Sequence, residues 1–139
     1  MKRKILLVDE WRAVRLLGRR VLTSLGFQTR EARCGLEALE TLALEPDLAG
    51  ILLEWNPQDP YCLALMNKLA SLPRHTRPPL IACGDILERS QILAALAAGA
   101  DDFLQKPFSS ETVREKFDQL GVPDCSDSRR DAEKLASAR

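Results

Sequence analysis

Short apolar runs alternate with amphipathic segments along this chain. The runs end at charged residues, glycine or proline, a pattern typical of strands buried in a parallel sheet. They predict strands at residues 4–8, 27–32, 49–54, 80–83 and 102–105, the second being the least apolar. Apolar residues three and four apart predict helices at 12–25, 35–44, 61–72, 87–98 and 109–120. Five strands alternating with five helices indicate an α/β domain with right-handed crossovers.

The first helix has two distinct faces. One is apolar and is predicted to face the core: Val14, Leu17, Gly18, Val21 and Leu25. The other is basic and surrounds an outward Leu16: Arg12, Arg15, Arg19 and Arg20. A basic stripe of this kind is most often a solvated helix face.

Length and charge narrow the class of protein. The 139 residues predict one domain over residues 1–121 and a polar, partly helical tail over 122–139. Twenty Lys and Arg balance twenty Asp and Glu, so no general field attracts nucleic acid or an anionic membrane. The tail is too short for a DNA-binding module, and no apolar span of 18 residues exists.

The first ten residues and the cysteines indicate in which cellular compartment the protein lies. "MKRKILLVDE" begins like a signal peptide, but Asp9 and Glu10 cut its apolar run short. The four cysteines form no CxxC pair; they are Cys34, Cys62, Cys83 and Cys125. With His75 as the single histidine, this spacing argues against a zinc site. We therefore expect a cytoplasmic protein with free thiols and no membrane contact.

The candidate chemistry lies where strands end. In open α/β sheets, ligands bind beyond the carboxyl ends of the strands. If the strand order is flavodoxin-like, 2-1-3-4-5, Asp9 and Glu10 come close to Glu54, with Lys106 after the fifth strand. The first two acids alone are more simply read as helix-capping residues, by about two to one. Because three acids on one rim repel each other, their convergence favours a cation such as Mg²⁺ or Ca²⁺.

Several common sites are excluded by their missing motifs. No G-x-G-x-x-G follows a strand and no Walker loop is present. No Ser or Cys stands at a strand end beside a His, which argues against nucleophilic triads.

Four segments resemble the receiver domain of bacterial two-component response regulators. They are "KILLVDEWRAVRLLGRRVL", "EARCGLEAL", "PDLAGILLEWN" and "AGADDFLQKPF", and the resemblance spans about Lys4 to Leu120. It implies a flavodoxin-like three-layer α/β/α sandwich with a five-stranded sheet in the order 2-1-3-4-5. It also implies a signalling domain rather than an enzyme, with a histidine kinase or a downstream regulator as partner.

The resemblance assigns a role to each matching position. Asp9 and Glu10 match the acidic pair that helps to hold Mg²⁺, and Asn56 matches the residue whose carbonyl completes the metal site. The remaining matches are the phosphoacceptor position Glu54, the hydroxyl switch position Gly84, the phosphoryl-contacting Lys106 and the aromatic switch position Phe103. The bond between Lys106 and Pro107 is expected to be cis.

Two of these positions depart from the family pattern. Glu54 replaces an aspartate, and its extra methylene moves the carboxylate outward by about 1.3 Å. Gly84 has no side chain and so cannot supply the hydroxyl. Glu54 then imitates a phosphorylated aspartate only weakly, and we expect Mg²⁺ to bind weakly or not at all, with Lys106 pairing Glu54.

Three functions follow, in decreasing order of preference. The first is a pseudo-receiver that works through protein contacts without phosphorylation. The second is a Mg²⁺-dependent phosphoryl acceptor that uses Glu54, and the third is a flavodoxin-like binder of a small ligand.

A partner or a second copy of the chain requires a contact surface. The fourth helix, fifth strand and fifth helix form one candidate, because residues 90–100 carry no charge. We expect Ala94 or Ala95 to face outward there. The basic stripe on the first helix is the competing candidate.

Overall fold

A computed structural model of the chain describes residues 2–85 and 88–124. The strands are β1 (Lys4–Val8), β2 (Gln28–Ala32), β3 (Gly50–Glu54), β4 (Leu80–Gly84) and β5 (Asp102–Gln105). The helices are α1 (Arg12–Ser24), α2 (Gly35–Leu44), α3 (Pro60–Ser71), α4 (Arg89–Ala97) and α5 (Ser110–Gln119). All ten predicted elements are present, with ends shifted by one or two residues. Leu87, the predicted start of the fourth helix, lies outside the described residues.

The sheet has the predicted architecture. Its five strands are parallel, in the order β2-β1-β3-β4-β5. The carboxyl ends of β1 and β3 therefore lie side by side, with Val8 opposite Leu53. This is the strand switch point at which open α/β sheets bind ligands.

Two apolar layers cover the sheet, one on each face. The three central strands alternate between them: Leu6, Val8, Ile51 and Leu53 point into one layer, and Ile5, Leu7, Leu52 and Ile81 into the other. This alternation explains why the strands read as continuous apolar runs. Helices α2, α3 and α4 cover the first layer, and α1 and α5 the second.

The first helix corrects one prediction. Leu17, expected in the core, is 54% exposed, while Leu22 is fully buried. The inward face is centred on Gly18 and Leu22, so Leu16 and Leu17 both reach solvent. The backbone of α1 lies close to β1 at Gly18, where a Cβ would be 2.7 Å from a methyl at the end of the Leu7 side chain.

The first residues of the predicted tail contact the domain. Val122, assigned to the tail, packs in the second apolar layer, and Pro123 accepts a hydrogen bond from Arg3. The rest of the predicted tail, from residue 125, lies outside the described residues. Within residues 2–85 and 88–124, no helix has the length and apolar character needed to cross a membrane.

Candidate functional site

A buried ion pair lies at the centre of the candidate site. The Lys106 ammonium is 2.8 Å from Asp9 Oδ2, and the two side chains are 4% and 2% exposed. The same ammonium is 3.6 Å from Glu54 Oε1 and 4.0 Å from Asp85 Oδ1. The structure therefore brings Asp9, Glu54 and Lys106 together at the carboxyl edge of the sheet. The predicted pairing of Lys106 with Glu54 is present, and Asp9 is an additional and closer partner of the ammonium.

Lys106 directly follows the last strand of the sheet. The Lys106–Pro107 bond is cis, as expected. The backbone N–H of Lys106 donates to the carbonyl of Gly84 at 2.8 Å, which continues the pairing of β5 with β4.

Hydrogen bonds of the Asp9 and Arg15 side chains fix the loop after β1. Asp9 Oδ1 accepts from the N–H of Trp11 at 2.9 Å. Arg15 donates to the carbonyls of Asp9 at 2.7 Å and Glu10 at 3.2 Å, and its guanidinium also pairs with Glu31. The sequence placed Arg15 on a solvated basic stripe, so this positioning role was missed. The sequence signal for this role is that Arg15 lies one helical turn into α1, close behind the acidic pair.

Glu54 is held in place as well. Its Oε2 accepts a hydrogen bond from the backbone N–H of Glu10 at 3.2 Å. Partial burial raises the pKa of Glu54, as does the nearby charge of Asp9, whereas the Glu10 N–H and Lys106 oppose the shift. For Lys106, burial opposes the charge, but the hydrogen bond and charge of Asp9, together with Glu54, raise its pKa overall.

A cavity of about 170 Å³ opens beside these acids. Glu10, Glu54 and Asn56 line it on one side. Arg33, Cys34, Asp59 and Cys62, which were not predicted as site residues, line it on the other. Burial raises the pKa of the Cys62 thiol to about 12, so this thiol is not a reactive nucleophile.

The donors of this cavity fit Mg²⁺ in chemistry but not in arrangement. Carboxylates and a backbone carbonyl, here those of Asp9, Glu10 and Asn56, are the oxygen ligands that Mg²⁺ takes. Both carboxylate oxygens of Asp9 already accept hydrogen bonds, from Trp11 and from Lys106. In the part of the chain that the structure describes, no three His, Cys, Asp or Glu side chains are grouped to hold a metal ion. A cation at Asp9 would compete with Lys106.

The two switch positions lie on the other side of Glu54. Gly84 and Asp85 line a second cavity of about 280 Å³ with Glu54 and Trp55. Phe103 is partly buried against the first apolar layer, and the ammonium of Lys116 lies 5.9 Å from its ring centre. Lys116 is itself paired with Asp102 at 3.1 Å. Gly84 contributes no side chain to the space between Glu54 and Phe103.

Comparison with known proteins agrees with this geometry. The family model described as the response regulator receiver domain matches residues 5–118. The chain is 30% identical to chemotaxis protein CheY1 of Helicobacter pylori over 123 residues, 87% of this chain and 99% of that protein. It is also 30% identical to chemotaxis protein CheY-3 of Vibrio cholerae, over 84% of this chain and 90% of that one.

A solved structure shows the same fold. The chemotaxis response regulator CheY4 of Vibrio cholerae superposes with a TM-score of 0.72 at 21% identity, over 86% of this chain and 99% of that one. Receiver domains are signalling regulators that interact with histidine kinases and downstream effectors, and they typically bind Mg²⁺ at the phosphorylation site. The chain belongs to the response regulator receiver domain family of two-component systems.

Proposed function

We propose that this chain is a pseudo-receiver, a receiver domain that acts through protein contacts in one fixed state without a phosphorylation cycle. The side chain at the acceptor position carries this proposal. The Glu54 carboxylate is longer than an aspartate and is held by the Glu10 N–H and by Lys106. Phosphoryl transfer depends on placement, and a displacement of about 1 Å can cost about 100-fold in rate.

The switch position supports the same proposal. A hydroxyl that could follow a phosphoryl group is absent at Gly84. Phe103 is held by the core and by Lys116 rather than by a contact across the second cavity. Even if Glu54 were phosphorylated, the modification would have no side chain at residue 84 through which to reach Phe103.

The proposed partners are a histidine kinase or a downstream regulator. A cytoplasmic location of this chain is part of the proposal. The proposed contact surface is α4, β5 and α5. Leu93 and Leu96 are exposed on α4, so this surface is more apolar than the small residues of the sequence suggested. Ala94 is exposed there, but Ala95 is 2% exposed and packs in the core, so the expectation that either residue faces outward fails for Ala95.

Phosphorylation is tested by mass spectrometry of the intact protein after incubation with acetyl phosphate and Mg²⁺. We expect no stable adduct on the wild type. The double variant Glu54→Asp/Gly84→Thr is expected to gain one, because it restores the acceptor length and the hydroxyl. Glu54→Asp alone is the matched control and separates the two contributions.

The opposite result favours the second function. Robust labelling of the wild type that is lost in Glu54→Gln identifies Glu54 as an acceptor and refutes the pseudo-receiver. In a parallel titration we expect only weak Mg²⁺ binding, read by the fluorescence of Trp55, which lines both cavities beside Glu54.

A further inference from the structure

An apolar groove lies at the end of α2 and α3 that is remote from the acidic site. Its volume is about 330 Å³. Its walls are almost entirely apolar: Leu39, Leu42, Ala43, Pro46 and Leu72, with Thr76 and Lys68 at the edge.

Lys68 is the only charged side chain that lines this groove. It is exposed, and it forms no ion pair with any residue in 2–85 or 88–124. The groove therefore presents an apolar floor with one unpaired positive charge at its rim.

A complementary ridge stands next to the groove on α2. Leu44 directly follows the groove residue Ala43 and is 82% exposed, more than any other large hydrophobic residue of the described chain. Glu40 lies one helical turn earlier on the same face and is also exposed. The described residues offer Glu40 no ion-pair partner, whereas Glu37 on the same helix is paired with Arg33.

We propose that the groove and the ridge form a self-association surface, so that the occupant of the groove is a second copy of this chain. Leu44 of each copy enters the groove of the other, and Glu40 of each copy faces Lys68 of the other. An apolar ridge with an unpaired acid matches an apolar groove with an unpaired base. Because the two features are adjacent on one protomer, a single two-fold axis satisfies both contacts, as isologous dimers require.

This surface is separate from α4, β5 and α5 and does not depend on the state of Glu54. It therefore remains available to a domain that is never phosphorylated, and the face proposed for other partners stays free in the dimer. The charges at the rim set the register of the contact, while the buried leucines supply most of its affinity.

The first test is sedimentation velocity of the full chain over a range of concentrations. We expect a monomer–dimer equilibrium in the wild type. Leu44→Arg should weaken dimerisation by about ten- to a hundredfold, since it removes a buried leucine from each half of the contact. Leu17→Arg is the matched control, an exposed leucine on α1, across the sheet from α2 and α3, that should leave the equilibrium unchanged. Circular dichroism melts verify that both variants are folded.

The second test uses charge reversal. Glu40→Lys alone places two lysines opposite each other, and Lys68→Glu alone places two glutamates opposite each other, so each variant should dimerise more weakly than the wild type. When the two variants are mixed, both charge pairs are restored and a heterodimer should form. A wild type that stays monomeric at every concentration would overturn the proposal. An association that Leu93→Arg abolishes and Leu44→Arg does not would also overturn it.

Discussion

The buried ion pair between Lys106 and Asp9 is expected to contribute strongly to stability. Its atoms are 2.8 Å apart and both side chains are almost completely buried. Replacing Lys106 with Met keeps most of the side-chain volume and removes the charge. Two carboxylates, Asp9 and Glu54, then share the site without their cation.

The magnitude follows from the burial. Removing one partner of a buried ion pair typically costs about 3–5 kcal/mol, because the remaining charge is left uncompensated. A domain of this size has a total stability of about 5–15 kcal/mol, so the loss is easily measured. The double variant Asp9→Asn/Lys106→Met removes both charges and should cost clearly less than the two single variants combined.

The assay is urea unfolding at several pH values, followed by circular dichroism. In Lys106→Met the already raised pKa of Glu54 loses the opposing charge of Lys106 and should rise further. A raised carboxyl pKa gives stability that is present at low pH and lost as pH rises through it. The cost of the substitution should therefore shrink between neutral pH and about pH 5. In the wild type, the raised pKa of Lys106 gives stability that is lost only above about pH 10.4. A cost below about 1 kcal/mol that does not change with pH would refute the buried pair.

Two further substitutions test the site and its supporting packing. The raised pKa of Glu54 means that its ionised form is unfavourable in the folded state, so Glu54→Gln should increase stability at neutral pH. It should also flatten the decline in the free energy of unfolding above about pH 4.3, measured by urea unfolding. An unchanged pH profile would contradict the raised pKa of Glu54. Gly35→Ala should destabilise the fold by about 1–3 kcal/mol, because a Cβ there would lie 2.7 Å from the backbone carbon of Tyr61. Gly18→Ala is the matched control and should destabilise less, because its Cβ comes closest to the end of the flexible Leu7 side chain. Thermal unfolding in which Gly18→Ala is the more destabilising substitution would contradict this account.

The strand ends were predictable from sequence because parallel strands impose a simple geometry. Five apolar runs fix the sheet, and residues directly after strands must meet at one edge. Asp9, Glu54 and Lys106 were therefore placed on one rim of the sheet. The flavodoxin-like strand order is confirmed.

The details that sequence missed depend on helix rotation and on side-chain reach. A small rotation of α1 about its axis exposes Leu17, and the apolar spacing alone does not determine that rotation. Arg15 looked solvated by its position, but its long side chain turns back to bind the loop after β1. Ala95 was expected on the surface because alanine suits both buried and exposed positions, so composition cannot tell them apart.

A chain without a switch should show no energetic coupling between Glu54 and Phe103. In the structure each is held by local contacts, Glu54 by Glu10 and Lys106, and Phe103 by the core and Lys116. The effects of Glu54→Gln and Phe103→Ala on the free energy of unfolding should therefore add within about 0.5 kcal/mol, the range expected for independent sites. Repeating the cycle in a Gly84→Thr background supplies the missing side chain between them, and coupling should then appear. Coupling well above that range in the wild-type background would mean that a signal crosses from Glu54 to Phe103 without the hydroxyl, and the domain would then have to be treated as switchable.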